Sequence, residues 1–373
     1  MKNKKVMWLI VGILISTMVL SACSTPVSRS GGTITVTDLI GREVEVPAEV
    51  DSVVAIGPGA LRLVIYAGGA PSVVGVEQFE LNSVVGRPYW LANPDLANLP
   101  AIGQGGSNNA PDPEKLLSVN PDVIFSTYAT DAASADELQE KTGIPVVVVS
   151  YGSIGFGITA IFGEPIQNSL ALIGQTLGTE DKAQETIDFI LGAKADLEKR
   201  TASIPDEGKL SIYVGALGSK GTHGIESTQG QYALLDVISA VNVVDVTGEA
   251  GSIMVDKEAL LDWDPDVIVI DEGGMASVLE DVEKNPIFYE TLSALQNGQV
   301  YGQLPYNYYS TNLDTAIADA YYLGTILYPE AFADIDPMAK ADEIYMAMVG
   351  IAVYDQMAAD FGGYGPVTFD LSD

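Results

Sequence analysis

Histidine and cysteine are almost absent from this sequence, and basic residues are scarce. Among 373 residues there are one Cys, one His and 18 Lys or Arg, against 50 Asp or Glu. A single thiol cannot form an internal disulfide, and a single imidazole excludes a zinc or manganese site built from several histidines. The net charge of −32 opposes binding to nucleic acid or to an anionic lipid surface through a general electrostatic field. An anionic ligand therefore needs a local cationic pocket.

The sequence also lacks the common catalytic signatures. It contains no Gly-x-Ser-x-Gly nucleophile elbow, no Gly-x-x-x-x-Gly-Lys phosphate loop and no His-Glu-x-x-His zinc helix. With one histidine and one cysteine, few side chains remain that could act as a nucleophile or a base. We therefore predict a binding protein rather than an enzyme, with no cofactor and no resident metal.

The first 22 residues have the pattern of a secretory signal. Three early lysines precede the apolar run from Val6 to Leu20, and small residues then lead to Cys23. This order predicts a lipoprotein signal over 1–22, lipid modification of Cys23 and a flexible tether over 23–32. An uncleaved membrane span and a free buried cysteine are the alternatives, although the run is about 15 residues and a span needs roughly 20. The mature chain is expected outside the cytoplasm, lipid-anchored to the cell membrane.

Short apolar segments alternate with helical stretches along the mature chain. Strands are predicted at 53–56, 73–76, 123–125, 146–149, 210–214, 243–244, 267–270 and 300–301, with a β-hairpin at 33–46 and helices at 60–67, 133–142 and 231–240. Continuous apolar strands separated by helices are typical of a parallel sheet covered on both faces. The predicted fold class is α/β, with two Rossmann-like lobes of mainly parallel sheet.

A long amphipathic helix is predicted between the two halves. Thr179 can cap its start, apolar residues recur at helical spacing, and Pro205 follows its end. About 22 residues at 1.5 Å each give roughly 33 Å, enough to run the height of a domain. This predicts an N-terminal lobe over 33–178, a bridging helix over 179–203 and a C-terminal lobe over 204–373. Because one helix resists bending, hinge motion between the lobes should be small.

An internal repeat supports two similar lobes. Residues 114–124, EKLLSVNPDVI, match residues 258–268, EALLDWDPDVI, at seven of eleven positions. Each copy predicts a short helix, a Pro-Asp turn and an apolar strand, so we expect the lobes to be related by an approximate two-fold axis. The alternative is that this common α/β connection recurs without duplication.

Together these features resemble the extracytoplasmic solute-binding proteins of ABC importers for ferric siderophores, haem and vitamin B12, the class III periplasmic binding proteins. The resemblance rests on the lipobox before Cys23, VVAIGP at 53–58, GAPSVVGV at 69–76, the duplicated PDVI units and NGQVY at 297–301. It implies two lobes bridged by one rigid helix and a ligand cleft between them. It also implies a permease partner with a cytoplasmic ATPase, and a chain that is monomeric when free.

The resemblance assigns a docking role to two glutamates. In that family one surface glutamate on each lobe inserts among arginines of the permease, and the matching residues here are Glu114 and Glu258. The dipole of a helix favours carboxylates at its N-terminus, and a symmetric pair suits a two-fold partner. Helix capping without any partner is the alternative.

The resemblance places the ligand against loops that follow the strands. These match 57–60, 77–90, 103–109, Tyr128, Tyr151, 220–229 and 305–312. The last loop carries Tyr306, Tyr308 and Tyr309, whose apolar faces and polar tips suit a flat or chelated organic ligand. Phenolate could also bind ferric iron directly. Packing between the lobes is the alternative role for these tyrosines.

Three further residues are ligand candidates. Arg87 and Arg62 could pair with carboxylates or phenolates of an anionic iron chelate, with intramolecular salt bridges as the alternative. His223 could be an axial ligand of haem or cobalt, with a solvated loop histidine as the alternative.

The favoured cargo is an iron(III) complex such as a siderophore-like chelate. The alternatives are a corrinoid or haem receptor of the same importer class, and a ligand-binding sensor or presentation protein without an importer. Chelatases have a related bilobed architecture, so fold alone does not exclude chemistry. The sequence predicts no role for the tail at 345–373.

Overall fold

A computed structural model describes residues 31–82, 84–106, 108–152, 159–218 and 221–371. The predicted signal, Cys23 and most of the predicted tether lie outside the described residues, as does Lys220 in one predicted ligand loop. No helix within the described ranges is both long enough and apolar enough to cross a membrane.

The strands and helices alternate along the chain, and their bounds are as follows. The strands are β1 Thr33–Thr37, β2 Glu43–Pro47, β3 Val53–Ile56, β4 Val73–Gly75, β5 Val123–Ser126, β6 Val146–Val148, β7 Ser211–Gly215, β8 Ser227–Gly230, β9 Val241–Asn242, β10 Gly251–Met254, β11 Val267–Asp271, β12 Val300–Gln303 and β13 Gly365–Pro366. The helices are α1 Ala60–Tyr66, α2 Gln78–Leu81, α3 Pro88–Ala92, α4 Pro113–Val119, α5 Ala132–Thr142, α6 Thr159–Phe162, α7 Glu164–Leu177, α8 Glu180–Thr201, α9 Ala233–Asp236, α10 Lys257–Trp263, α11 Met275–Lys284, α12 Pro286–Thr291, α13 Ser293–Gln296, α14 Leu313–Leu327, α15 Pro337–Val349 and α16 Tyr354–Phe361. Short 3₁₀ turns lie at Ala70–Ser72, Pro94–Asn98, Val243–Thr247 and Glu272–Gly274.

Each lobe is built on a sheet of mainly parallel strands. The N-terminal sheet has the order β4-β3-β5-β6 and is entirely parallel. The C-terminal sheet has the order β13-β12-β11-β7-β9, and only the β12–β13 pair is antiparallel. The central strands β3, β5 and β11 are buried along their whole length because helices cover both faces. The predicted α/β class with two lobes is confirmed.

The duplicated sequence units occupy equivalent places in the two sheets. Oδ2 of Asp122 accepts hydrogen bonds from the backbone N–H and the hydroxyl of Ser52, both at 2.9 Å. Oδ2 of Asp266 accepts the same two bonds from Ser211, both at 2.8 Å. Each aspartate thus ties the start of its strand to the start of the parallel neighbour, β3 or β7. The shared contacts and the shared strand order show that the repeat is structural.

Helix α8 lies between the two sheets in the chain. Its buried residues include Ile187, Ile190 and Leu197, which form one apolar face. The predicted cap is wrong in its detail, since the Thr179 hydroxyl donates to the carbonyl of Ala67 at 2.7 Å and does not cap the helix. The side chain packs the helix start against the N-terminal lobe instead.

The prediction around residues 231–244 is also wrong. The helix expected over 231–240 is confined to α9, because Ser239 adopts a left-handed backbone with φ of 51°. The strand expected at 243–244 is a 3₁₀ turn, and the strand is β9 just before it. Asn242 starts this turn by accepting the N–H of Val244 at 3.2 Å on its side chain.

Candidate ligand cleft

The predicted ligand loops meet at the boundary between the lobes. Because parallel strands end at the same sheet edge, the loops after β3 and β4 lie together in the N-terminal lobe. The loop after β12 carries 305–312 from the C-terminal lobe against them. We call this contact region, formed by 57–128 and 305–312, the interlobe seam.

Tyr309 links the two lobes through its phenol. The phenol donates to Oε2 of Glu77 at 2.7 Å and accepts the backbone N–H of Gly106 at 2.7 Å. Its ring packs against Phe79, with 4.3 Å between the centroids. Glu77 also accepts the N–H of Gly57 at 3.1 Å, and burial raises the pKa of this carboxyl to about 7.

Arg62 is fully buried at the seam and binds the tyrosine loop through its backbone. It donates to the carbonyl oxygens of Tyr308 at 2.5 Å, Thr311 at 3.0 Å and Tyr309 at 3.4 Å, and to the Tyr151 phenol at 3.4 Å. These partners are neutral oxygens. The alternative role given for Arg62 was an intramolecular salt bridge. In the structure its guanidinium instead donates hydrogen bonds to backbone carbonyl groups.

Arg87 forms a buried ion pair inside the N-terminal lobe. Its Nη1 lies 2.8 Å from Oε2 of Glu80, which also accepts the Tyr89 phenol at 2.7 Å and the Trp90 indole N–H at 2.8 Å. The guanidinium lies 5.5 Å from the centroid of the Phe79 ring. The structure therefore matches the intramolecular alternative for Arg87, directly behind an aromatic side chain of the seam.

The other predicted tyrosines differ in their exposure. Tyr306 is buried, receives the side-chain amide of Gln229 at 3.4 Å and stacks on Tyr232 with 6.2 Å between centroids. Tyr308 is half-buried and packs against Phe361, 5.7 Å away between centroids. The buried position of Tyr306 favours a packing role, and Tyr308 is the more accessible of the two.

The remaining predicted contacts lie around the same boundary. Tyr128 is half-buried after β5, and Tyr151 donates its phenol to the carbonyl of Gly59 at 3.1 Å. His223 is half-buried in the C-terminal lobe, where its carbonyl packs against Gly274. Ligand contact by these residues stays a prediction.

Two acidic residues lie at the C-terminal end of strand β11, Asp271 as its last residue and Glu272 directly after it. Asp271 is buried and accepts the N–H of Gly273 at 2.9 Å, and Glu272 accepts the N–H of Gly363 at 2.8 Å. Burial raises the pKa of Glu272 to about 7. Within the described ranges, no group of three or more His, Cys, Asp and Glu side chains is arranged to hold a metal ion.

The chain is similar in sequence to a known protein family. A family model described as periplasmic binding protein matches residues 53–305, which is more than half of the chain. This chain belongs to the periplasmic binding protein family. The family match covers the N-terminal sheet, the bridging helix and all strands of the C-terminal sheet except β13, and it ends at the loop that carries the three tyrosines.

Individual relatives match this periplasmic binding protein over most of its length. An uncharacterised ABC transporter substrate-binding lipoprotein of Bacillus subtilis strain 168 is 20% identical over 345 residues, covering 90% of this chain and 100% of the relative. A periplasmic solute-binding protein of Veillonella parvula superposes with a TM-score of 0.67 and 19% identity, over 88% of this chain and 97% of that one. The molybdate-bound MolA of Haemophilus influenzae gives a TM-score of 0.64 and 19% identity, over 86% and 98%. The resemblance drawn from the sequence to importer-associated solute-binding proteins is confirmed.

Glu114 and Glu258 occupy equivalent exposed positions in this periplasmic binding protein. Each lies in the first turn of its helix, α4 or α10. The cap is made by the preceding aspartate: Asp112 accepts the N–H of Lys115 at 3.1 Å and Asp256 accepts the N–H of Ala259 at 2.7 Å. The two glutamates are therefore not the residues that cap their helices.

The sequence did not single out several residues of the seam. Glu77 and Phe79 fall inside a predicted ligand loop, but nothing in the sequence pairs them with Tyr309. Asn312 donates its amide to the carbonyl of Gly86 at 2.7 Å, again between lobes. Such contacts join segments more than 200 residues apart, so no local pattern encodes them.

Proposed function

We propose that this protein is the lipid-anchored substrate-binding protein of an ABC importer and that it captures an iron(III) complex of the siderophore type between its lobes. The observation that carries the ligand class is the apolar and aromatic surface beside the seam. Phe79 is 40% exposed, Val84 and Val85 are 42% and 40% exposed, and Tyr308 is half-buried. Such a surface suits an organic ligand that wraps its metal.

The protonation state of the Tyr308 and Tyr309 phenols favours a metal ion that is already coordinated by a chelator when it binds. Burial raises the pKa of Tyr308 to about 12 and raises that of Tyr309 further. Both side chains are therefore protonated at neutral pH and act as hydrogen-bond groups and apolar faces. A raised pKa makes the loss of the phenolic proton more costly, so in this proposal the chelator supplies the oxygen ligands of the iron.

The contacts of Arg62 and Arg87 favour a ligand of low net charge. Arg62 is held by carbonyl oxygens and Arg87 by Glu80. A ligand that relied on either guanidinium would first have to break these contacts, which would leave buried carbonyl oxygens without their donor at Arg62 or Glu80 without its counter-charge at Arg87. A chelate of low net charge avoids this cost, because it can bind through the aromatic surface alone.

Delivery to a permease is the second part of the proposal. Glu114 and Glu258 are exposed and project from equivalent helices of the two lobes. Since aspartates already cap these helices, the glutamates are available to pair with basic pockets on a two-fold partner. The permease would release the cargo when its ATPase has bound ATP. Lipid modification of Cys23 would hold the protein at the membrane where the permease lies.

A calorimetric titration of the purified mature protein tests the ligand class. The probes are a ferric trihydroxamate, a ferric tricatecholate, haemin, cyanocobalamin and molybdate. We expect saturable binding of a ferric chelate, weakened at least tenfold by Phe79→Ala or Tyr308→Ala. Phe288→Ala, which removes a half-buried ring on α12, is the matched control and should bind as the wild type does. Preferential binding of haemin, cyanocobalamin or molybdate would overturn the iron assignment.

A further inference from the structure

The loop at 307–312 belongs to the C-terminal lobe by sequence, and contacts from the N-terminal lobe add to the bridge between Asn307 and Thr311 that closes it. It connects β12 to α14. Arg62, on α1 of the other lobe, donates to three of its carbonyl oxygens. The phenol of Tyr309 reaches Glu77 and Gly106 in the same opposite lobe.

The backbone at the centre of this loop is strained. Tyr309 has a φ of 53° and Ser310 a φ of 75°, which are left-handed values at two consecutive residues with side chains. L-residues seldom adopt this region, and such conformations persist where the surroundings over-determine them. Arg62 binds the carbonyls of Tyr308 and Thr311, on either side of the strained pair. The guanidinium is thus placed where it can hold the strained turn.

Two further contacts hold the ends of the loop against the N-terminal lobe. Asn312 donates its side-chain amide to the carbonyl of Gly86 at 2.7 Å. The Tyr308 ring packs on Gly86 so closely that a Cβ there would lie 2.7 Å from a ring carbon. Gly86 has a φ of 72°, which also favours glycine. Side chains on both sides of the strained pair therefore depend on the opposite lobe.

We propose that 307–312 is an interlobe latch and that Arg62 and Glu77 are positioning residues for the tyrosines of the cleft. Even a small separation of the lobes at the seam would break the contacts to Arg62, Glu77 and Gly86 together, because every one of them crosses it. The loop then relaxes from its left-handed turn, and Tyr308 and Tyr309 leave their places. The ligand surface is thereby assembled only when the lobes are together. This inference rests on the proposed function for the position of the ligand, whereas the latch itself exists without any ligand.

Amide hydrogen exchange of the ligand-free mature protein tests the latch. The reporters are the N–H of Asn312, bonded to the Tyr306 carbonyl at 2.8 Å, and the N–H of Gly106, bonded to the Tyr309 phenol at 2.7 Å. In Arg62→Gln we expect both amides to exchange at least tenfold faster than in the wild type. The N–H groups of Ile124 and Ile268, in the two sheets, should keep their wild-type rates, which a general loss of stability would not allow.

Arg200→Gln is the matched control. Arg200 also donates to a backbone carbonyl, that of Ala331 at 3.0 Å, and lies 5.2 Å from the centroid of an aromatic ring, but away from the seam. This variant should leave both reporters unchanged. If Arg62→Gln fails to fold, Tyr309→Phe keeps the test decisive, since it retains the ring and should still speed exchange at Asn312 tenfold.

Three outcomes would overturn the latch: wild-type exchange rates at Asn312 in a folded Arg62 or Tyr309 variant, unprotected reporters in the wild type, or an equal effect of Arg200→Gln. Because no ligand is present, each is independent of the chelate titration. A protein that binds none of the five probes can still show the latch, and a confirmed iron chelate does not establish it.

Discussion

The side chains of Arg87 and Glu80 form an ion pair that is withdrawn from solvent. Nη1 and Oε2 are 2.8 Å apart, and the two side chains are 4% and 2% exposed. One oxygen of Glu80 accepts from Arg87, Tyr89 and Trp90 together. This cluster forms the base on which the ring of Phe79 lies, so its integrity bears on both stability and the ligand surface.

The first prediction concerns this pair. Glu80→Ala leaves a buried guanidinium without its counter-charge and should lower the free energy of unfolding by about 3–5 kcal/mol. Urea denaturation measures the change. The combined Glu80→Leu, Arg87→Met variant should lose less than the sum of the single variants. As a control, Glu137→Ala breaks the exposed pair with Lys141 and should cost less than about 1 kcal/mol. A loss for Glu80→Ala as small as that of the control would contradict the prediction.

The second prediction concerns pH. The pKa of Glu77 and of Glu272 is raised by burial from 4.5 to about 7. Between these values the folded state binds more protons than the unfolded state, so the free energy of unfolding falls as pH rises from about 4.5 to about 7. Each group should contribute on the order of 3 kcal/mol to this fall.

Chemical denaturation at pH 5, 6, 7 and 8 measures the slope. Glu272→Gln should flatten it, because glutamine cannot take up the proton. Glu137→Gln, which removes one exposed carboxylate that pairs with Lys141, is the control for the loss of a single negative charge. A wild-type slope in Glu272→Gln would show that other acids of the chain, and not this carboxyl, set the pH dependence.

The third prediction separates docking from helix capping. Glu114→Ala combined with Glu258→Ala should reduce uptake of a radiolabelled ferric trihydroxamate at least tenfold, with chelate affinity and unfolding free energy unchanged. Asp112→Ala and Asp256→Ala should instead each cost about 1 kcal/mol of stability, since each removes a cap. Undiminished uptake by the double glutamate variant would reject the docking assignment.

The fourth prediction compares two glycines inside helices. A Cβ at Gly324 in α14 would lie 2.4 Å from the ring of Phe332, whereas nothing lies within 4 Å of a Cβ at Gly192 in α8. Gly324→Ala should lower the free energy of unfolding by about 1–3 kcal/mol through overpacking, and lower the melting temperature with it. Gly192→Ala should raise the free energy of unfolding by about 0.5–1 kcal/mol, because alanine favours the helix. Thermal unfolding of both variants checks the signs, and a stabilised Gly324→Ala would refute the packing argument.

Much of the fold could be predicted because it is encoded locally. The apolar run at 53–56 forms β3, and the amphipathic pattern after Thr179 forms α8. The Pro-Asp repeat also predicted equivalent structures in the two lobes, and Asp122 and Asp266 bind the neighbouring strand in the same way. The predicted helix and strand within 231–244 were wrong because Ser239 adopts a left-handed backbone, which no periodic pattern in the sequence predicts.

The C-terminal tail illustrates what the sequence could not reveal. Its strand β13 pairs with β12, and Tyr364 stacks on Tyr322 with 4.2 Å between centroids. Phe361 of the same tail packs against Tyr308 at the seam. The tail therefore completes the C-terminal sheet and supports the tyrosine loop, a role that depends on pairing with distant segments.

The sequence by itself determined the α/β class, the duplication, the bridging helix and the family, because these follow from short-range apolar periodicity and from motifs read in order. Only the tertiary structure decided which charges remain available. In the folded protein Arg87 forms an ion pair with Glu80, and Arg62 donates hydrogen bonds to the backbone of the tyrosine loop. The physical reason is that a buried charge takes whichever oxygen the packing of distant segments brings within reach, and that choice has no signature along the chain.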